Sequence, residues 1–397
     1  MAVWDAAADT ALTRTERHYR EGAAEVELGD GFFREQSRPA RDLSVLLAME
    51  QACSVGRKRR LRWLDLMAGC GIRGLRWGLE AAGSCAFPAE IWLNDADPDR
   101  SAALGRNTEP LQRTDVSLRL SVQSANHLLA RAWLEGDRFD LIDLDAFGSP
   151  SALIQPALQA LQSDGVLFLA STDGRSPTGH DRRGAVRRFA AAARVHPASW
   201  ELALRHQIGC VARQAWMLGH GIRPLLSFSD GRTFRTAVRL CSHPAADEES
   251  NLGLLARCEV CGSQQDQPLL RLRAWRACLC SPGSEHLLIH GPLWLGPLQQ
   301  PAFLGRLLNL PVPVAGATQR LIRRLRADSG FPARVWSTAE LAHRLGLRGP
   351  PPVAEMVQAL RNAGQSASAS GVMGGQIRTN ADLQLLLQLC RARGEGP

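Results

Sequence analysis

A chain of 397 residues is long enough for two or three domains. With 45% hydrophobic and 22% charged residues its composition is that of an ordinary globular protein, and no apolar run reaches membrane-spanning length, which excludes a disordered or fibrous chain and a helical membrane protein. The net charge of +8 favours a polyanionic partner, nucleic acid first.

The opening MAVWDAAADTALTR has no basic stretch before an apolar core, so the cytoplasm is the expected compartment. Residues 1–30 are polar and are expected to be peripheral. From there to residue 242 helical and strand patterns alternate. DLSVLLAMEQAC (42–53) has helical spacing. RWLDLMAG (62–69) is a strand running into glycine, followed by a helix over 72–83. AEIWLNDADP (89–98) is a second strand, 99–111 a helix, SLRLSVQSAN (117–126) a third strand and RFDLIDLD (138–145) a fourth. A helix over 152–165 leads to a fifth strand, VLFLAST (166–172). PLLSFSDGRTFRTAVRL (224–240) is two apolar runs around a turn, a hairpin signal. Alternation of this kind predicts an α/β doubly wound, Rossmann-like parallel sheet, and its closing antiparallel hairpin is the class I methyltransferase variation on that sheet. Residues 243–290 are loop-like and carry paired cysteines. Residues 291–397 predict several short helices and a hairpin near 371–380, which suits a smaller α+β, winged-helix-like domain. The expected division is therefore 1–30, 31–242, 243–290 and 291–397.

GCGIRG (69–74) places Gly69, Gly71 and Gly74 between a strand and a helix, the context of a nucleotide-binding turn, and Asp95 ends the next strand, where a carboxylate binds ribose hydroxyls. A packing turn would show the same glycines, and both NAD and S-adenosylmethionine carry a ribose. Asp65, in the strand before the loop, is suited to hold the loop or a methionine ammonium. DLDAFGSP (143–150) tips the balance. An exocyclic amine on a purine has its lone pair delocalised into the ring. Asp145 and the carbonyl of Ala146 can accept its two N–H bonds and turn the lone pair toward a sulfonium methyl, while Phe147 stacks on the flipped base. The plain alternative is a Gly-Ser-Pro turn with Phe147 as a core plug.

These stretches, with FFREQSRPARDLSV (32–45), LDLMAGCGIRGLRWGLE (64–80), WLNDADPD (92–99), STDG (171–174) and GPLWLGPL (291–298), resemble the tRNA guanine-26 N2-dimethyltransferase family, in a bacterial branch, over about residues 31–380. The resemblance implies methyl transfer from S-adenosylmethionine to the 2-amino group of guanine 26 of tRNA; some bacterial members also act at position 27. It also implies that Arg41 and Arg73 contact the cofactor, that Asp95 binds its ribose and that Asp145 is the catalytic acid. Three positions depart from the family pattern. Ala146 stands where proline is usual, Arg34-Glu35 where Asn-Pro is usual, and Ser124-Ala125-Asn126 where Asp-Ala-Asn contacts adenine.

Cys258-x-x-Cys261 and Cys278-x-Cys280 have the ligand type and approximate spacing of a structural zinc knuckle, with His286 or His290 as possible replacements for one thiolate. Six other cysteines, Cys53, Cys70, Cys85, Cys210, Cys241 and Cys390, read as ordinary buried thiols. Only one basic residue is a lysine, Lys58, within the RKRR run at 57–60. Arg182, Arg183, Arg187 and Arg188 follow the fifth strand, and Arg320, Arg323 and Arg324 share a helical face. Either group suits RNA phosphates, and either suits a solvated helix face. Rival readings are a non-catalytic zinc-knuckle nucleic-acid-binding protein on a degenerate nucleotide fold, a DNA adenine methyltransferase and, last, an NAD oxidoreductase. Protein partners are not legible.

Overall fold

A computed structural model describes residues 18–55, 59–83, 87–278, 280 and 286–394, the side chains of 393 and 394 excepted. Five parallel strands form the frame: β3 (Leu61–Asp65), β4 (Ala89–Asp95), β5 (Ser117–Val122), β6 (Phe139–Asp145) and β7 (Leu161–Ser171). The antiparallel hairpin β8 (Gly221–Ser229) and β9 (Phe234–Cys241) completes the sheet, whose order is β5-β4-β3-β6-β7-β9-β8. This is the doubly wound, hairpin-closed sheet expected from the alternation. Its central strands read as continuous apolar runs because both faces are covered: Leu64, Ile142, Leu144 and Leu167 lie in one buried cluster, and Leu61, Trp63, Leu141, Val166 and Phe168 in the other.

Two short strands, β1 (His18–Glu21) and β2 (Ala24–Glu27), precede the helix α1 (Arg38–Val55). They are not peripheral. Ala24, Val26 and Leu28 belong to the main core, and Glu21 is buried against two arginines. Polarity suggested an exposed tail because the segment's charges are paired inward, which composition does not reveal.

Helix α2 (Ile72–Arg76) continues into a π-helical segment, Trp77–Ala82. Helices α3 (Ser101–Thr108), α4 (Ala125–Glu135) and α5 (Ser151–Ala160) follow their strands. The helix expected over 152–165 stops at Ala160, and β7 begins at Leu161. After α6 (Arg182–Phe189) comes α7 (Ser199–Met217), at 19 residues the longest described helix, which was not among the elements expected from the sequence. It packs between the sheet and a second, three-stranded sheet, so residues all round it are buried and no single apolar stripe exists.

That second sheet is β10 (Leu252–Cys258), β11 (Gln264–Pro268) and β12 (Leu287–Trp294), in the order β11-β10-β12. The division expected at residue 291 does not match the packing. Helices α8 (Pro301–Leu308) and α9 (Gly316–Ala327) bury Phe303, Leu304, Leu307, Ile322 and Leu325 in the same core as α1. A separate apolar cluster starts only at Trp336, in a unit of β13 (Trp336–Ser337), α10 (Thr338–Arg344), α11 (Val353–Asn362), β14 (Ala367–Ala369), β15 (Gln376–Thr379) and α12 (Leu383–Gly394). The stretch GPLWLGPL begins as the end of β12 and runs on into the connection to α8, so it marks no change of core. The C-terminal unit docks on α7 through charge: Arg378 donates to Glu201 Oε1 at 2.5 Å, and Glu201 is also bound by Arg205 at 2.8 Å.

Of the scattered cysteines, Cys210 and Cys390 are buried, Cys70 and Cys241 half-buried and Cys53 exposed; Cys85 lies outside the described residues. No described helix is long and apolar enough to cross a membrane.

Candidate functional site

The chain runs outward from β3 to β5, then returns to β6 on the other side of β3. This reversal leaves a crevice beyond the carboxyl ends of β3 and β6, the usual ligand site of an open α/β sheet. A cleft of about 710 Å³ lies there. Asp65 ends β3, Asp95 ends β4 and Asp145 ends β6, and all three border it.

The glycine turn makes its floor. Gly69 (φ 55°) and Gly71 (φ 79°) adopt left-handed backbone that other residues rarely take. The Gly69 N–H donates to Asp95 Oδ2 at 2.8 Å, and Asp95 Oδ1 accepts from the Asp97 N–H at 3.0 Å. Asp95 thus positions the loop while facing the cleft. A Cβ at Gly74 would fall 2.2 Å from a terminal methyl of Leu93, so any larger residue there would require the Leu93 side chain to move.

Arg73, on α2, is buried among carboxylates. It bonds Asp145 directly, and its Nε is 3.3 Å from Asp143 Oδ2 and its Nη1 3.9 Å from Asp65 Oδ1. Arg235, on β9, donates to the same Asp145 Oδ2 at 2.7 Å. Arg235 lies in the DGRTFRTAVRL stretch, but nothing local in the sequence links it to a carboxylate 90 residues away. Burial alone would raise the Asp145 pKa, but Arg235 and Arg73 outweigh it and hold the carboxyl well below its usual range. Both arginines use Oδ2, so Oδ1 is left without a hydrogen bond among the described residues. Asp143, in register with Asp65, accepts from Ser44 Oγ at 2.6 Å; burial raises its pKa despite Arg73.

Asp65 is the unsatisfied group. It is buried, borders the cleft, and neither of its oxygens has a hydrogen bond. Burial, with Asp143, Asp145 and Asp95 adding to it against Arg73, pushes its pKa up to about 8. An orphaned carboxylate in such a place is suited to an incoming cation, such as the ammonium of a methionine moiety. The residues present therefore fit S-adenosylmethionine, with Asp65 for the ammonium and Asp95 for the ribose.

Phe147 is no core plug. It is 78% exposed at the cleft mouth, beside Phe32, which is 77% exposed, with ring centroids 5.5 Å apart. Exposed rings in such a pair are suited to stack on a planar base. The loop carrying Phe147 is pinned at the next residue. The Gly148 N–H donates to Thr172 Oγ1 at 2.6 Å, and the Gly148 carbonyl accepts from the Thr172 and Asp173 N–H groups. This cross-link to the loop after β7 supplies the stiffness that Ala146 lacks where the related family has proline. Arg34, at the second departure, bonds Asp230 at 3.0 Å and so ties the Phe32 segment to the β8–β9 turn.

Arg41 borders the cleft, but its donors all have protein partners: Glu21 and the carbonyls of Arg34 and Glu35. Ser124 caps α4, accepting from the His127 N–H at 3.4 Å, and neither it nor Ala125 borders the cleft.

The four cysteines converge. The Sγ atoms of Cys258, Cys261, Cys278 and Cys280 all lie within 4.8 Å of one another. Thiolates around tetrahedral zinc, with Zn–S about 2.3 Å, stand about 3.8 Å apart, so the set fits zinc without either histidine. His290 instead sits in β12, accepting from the Arg194 N–H at 3.4 Å. We expect about one zinc per chain in the purified protein. Cys258→Ser/Cys261→Ser loses it, and amide exchange in β10–β12 then speeds up by at least tenfold, read by hydrogen-exchange mass spectrometry.

Among the basic clusters, Arg182, Arg183 and Arg187 are exposed on α6, while Arg188 is held by Asp173 at 2.9 Å. Arg320 and Arg324, one turn apart on α9, border a groove of about 490 Å³ that shares Ser37, Thr233 and Arg235 with the cleft. Arg323 is exposed outside that groove, 3.5 Å from Gln319. Arg57 and Lys58 lie outside the described residues, and Arg59 pairs with Asp140.

Residues 23–391 match the family model described as N2,N2-dimethylguanosine tRNA methyltransferase. A tRNA (guanine(26)-N(2))-dimethyltransferase of Methanosphaerula palustris is 29% identical over 82% of this chain and 83% of its own length. Another of the same name from Pyrococcus furiosus is 27% identical over 91% of this chain and 92% of its own. Among solved structures, the complex of Trm1 from Pyrococcus horikoshii with S-adenosyl-L-methionine superposes with a TM-score of 0.80 at 23% identity, over 94% of this chain and 99% of that one, which shows a shared fold.

Proposed function

The chain belongs to the N2,N2-dimethylguanosine tRNA methyltransferase family, and from that premise we propose how its own residues carry out the reaction. It is an S-adenosylmethionine-dependent tRNA methyltransferase that modifies the N2 amine of guanine 26. The observation that carries the reading is Asp145: an ionised carboxylate at the end of β6, anchored by two arginines through one oxygen, with the other oxygen free of hydrogen bonds among the described residues and bordering the cleft that two exposed phenylalanines also line.

When bound, S-adenosylmethionine supplies an electrophilic sulfonium methyl. Asp65 takes its ammonium and Asp95 its ribose hydroxyls. Phe147, with Phe32 beside it, offers an exposed ring against which the flipped guanine stacks. Asp145 Oδ1 and the Ala146 carbonyl accept the two N–H bonds of the amine and so turn its lone pair toward the methyl donor. Because its pKa is held low, Asp145 orients the amine and stabilises the positive charge that develops on it, and the proton leaves to solvent. Arg41 acts as a strut beneath the cleft. The exposed arginines of α6, with Arg320, Arg323 and Arg324 of α9, grip phosphates around the entry. The four cysteines hold structural zinc. We place the reaction in the cytoplasm, with its tRNA substrate.

The test is methyl transfer from labelled S-adenosylmethionine to unmodified tRNA. The expected product is N2-methylated guanine, and replacing guanine 26 removes at least nine-tenths of the label. Label surviving that replacement would point to guanine 27, and no transfer to any tRNA would overturn the reading.

A further inference from the structure

Between Cys261 and Cys278 the chain reads LLRLRAWRA over 269–277. A short turn, Leu269–Arg271, leads into residues 272–277, which have no regular secondary structure. The loop is nevertheless tied down along its length. Gln267 Oε1 accepts from the Arg273 N–H at 2.8 Å. Gln265 Oε1 accepts from the Arg276 N–H at 3.1 Å, and Gln265 Nε2 donates to the Arg276 carbonyl at 2.9 Å. This explains the polar sequence QQDQP of β11: its glutamines satisfy the loop's backbone, as another strand would, along the edge of the small sheet.

With the backbone held at Arg273 and Arg276, the side chains are free to face water. Arg271, Arg273 and Arg276 are exposed, and none has a carboxylate within 4 Å among the described residues; Leu270 and Leu272 are 66% and 49% exposed. Nearby acids already have partners. Asp266 is paired with Arg334 at 3.4 Å, and Glu340 with Arg257 and with Arg344 at 2.7 Å. The same contacts, with Gln264 bonding the Val335 carbonyl at 2.7 Å, fix the knuckle to the C-terminal unit. Three cations in six residues repel one another, and among the described residues none of them is paired with a carboxylate. A pre-ordered, arginine-rich, partly apolar loop matches a polyanion whose bases and sugars also offer apolar surface.

We infer that the 269–277 loop is an RNA-backbone contact, in which Arg271, Arg273 and Arg276 bind tRNA phosphates outside the catalytic cleft. The inference rests on the tRNA reading above and names a contact surface for that substrate. Such contacts carry no base information, so they set affinity and placement, not the choice of guanine.

The experiment uses the full-length, zinc-loaded chain and unmodified tRNA. In Arg271→Ala/Arg273→Ala/Arg276→Ala the Kd for tRNA at about 0.15 M salt rises at least tenfold. The slope of log affinity against log salt falls by about 2 to 3, one contact being worth roughly 0.7 to 0.9. The rate at saturating tRNA and the affinity for S-adenosylmethionine stay within about twofold, and the triple lysine variant recovers most of the tRNA affinity. An unchanged Kd and salt slope overturn the inference while leaving the functional reading intact. A wild-type chain that methylates no tRNA overturns both. Should the triple variant lose zinc or fail to fold, a photocrosslinking residue at position 272 of the otherwise native chain decides: a crosslink to tRNA supports the contact, and its absence at saturating tRNA overturns it.

Discussion

Asp145→Asn lowers the single-turnover rate of methyl transfer by about 10²–10³-fold, with S-adenosylmethionine affinity changed by less than about threefold. The substitution keeps shape but removes the charge that Arg73 and Arg235 share, and it sets an amide where an acceptor is needed for the guanine amine. The size follows from what one preorganised acceptor or donor is worth at a reacting centre. Rapid quench with labelled cofactor measures it, and a loss below about fivefold would remove Asp145 from the chemistry. The wild-type pH profile carries a second expectation. Arg235 and Arg73 hold the folded pKa of Asp145 below the usual carboxylate range, so Asp145 stays ionised as pH falls through 5. Any acid limb near neutral pH therefore belongs to another group. Asp65 is the candidate, since its pKa is pushed up to about 8. Asp65→Asn removes such a limb and weakens cofactor binding.

Glu21→Gln is expected to destabilise the protein by about 3–5 kcal/mol, which corresponds to a fall in Tm of roughly 5 °C for a chain of this length. Glu21 is buried and bonds Arg41 Nη2 at 2.6 Å and Arg76 Nη1 at 2.7 Å, both arginines being buried as well. Arg76 keeps Asp42 and Glu80, but Arg41 keeps only two carbonyls, so one buried cation loses its counter-charge. Burial would raise the Glu21 pKa; the hydrogen bond and charge of Arg41, then the charge of Arg76, outweigh it and lower it. The stabilisation from its ionised form is therefore complete above the unfolded value, about 4.3–4.5, and is lost as pH falls through the lower folded value. Glu27→Gln serves as the contrast. Its pair with Arg106 is solvent-exposed, so the change is worth under about 1 kcal/mol. Differential scanning calorimetry of the two variants separates a buried network from a surface pair. Equal small shifts would mean that the N-terminal hairpin adds little to the fold.

Local pattern was enough for the parallel sheet. Strand and helix periodicity alternate cleanly, and the glycine turn, Asp95 and DLDAFGSP all fall at strand ends, where backbone direction alone places a site. The zinc cysteines were legible for the same reason: ligand type and short spacing are properties of the local chain. Arg235 and Glu21 were not legible. Each acts through a partner far along the chain, 90 residues for Arg235 with Asp145 and 20 or 55 for Glu21 with its arginines, and no local rule links such positions. Helix α7 escaped because burial on every side erases the amphipathic stripe that marks a helix.

By itself, then, the sequence determined the fold class and the family resemblance, and it marked the glycine turn, Asp145-Ala146-Phe147 and the paired cysteines as candidates, with His286 or His290 still open as a replacement for one thiolate. Only the tertiary structure decided which charges meet. It placed Arg73 and Arg235 on one oxygen of Asp145, left Asp65 without a hydrogen bond, held Arg41 as a strut, and set Phe32 beside Phe147. The physical reason is that residue type and period are local properties, whereas a pKa, an orphaned oxygen or an edge-to-face ring pair depends on which distant side chains the packed core brings within a few ångströms.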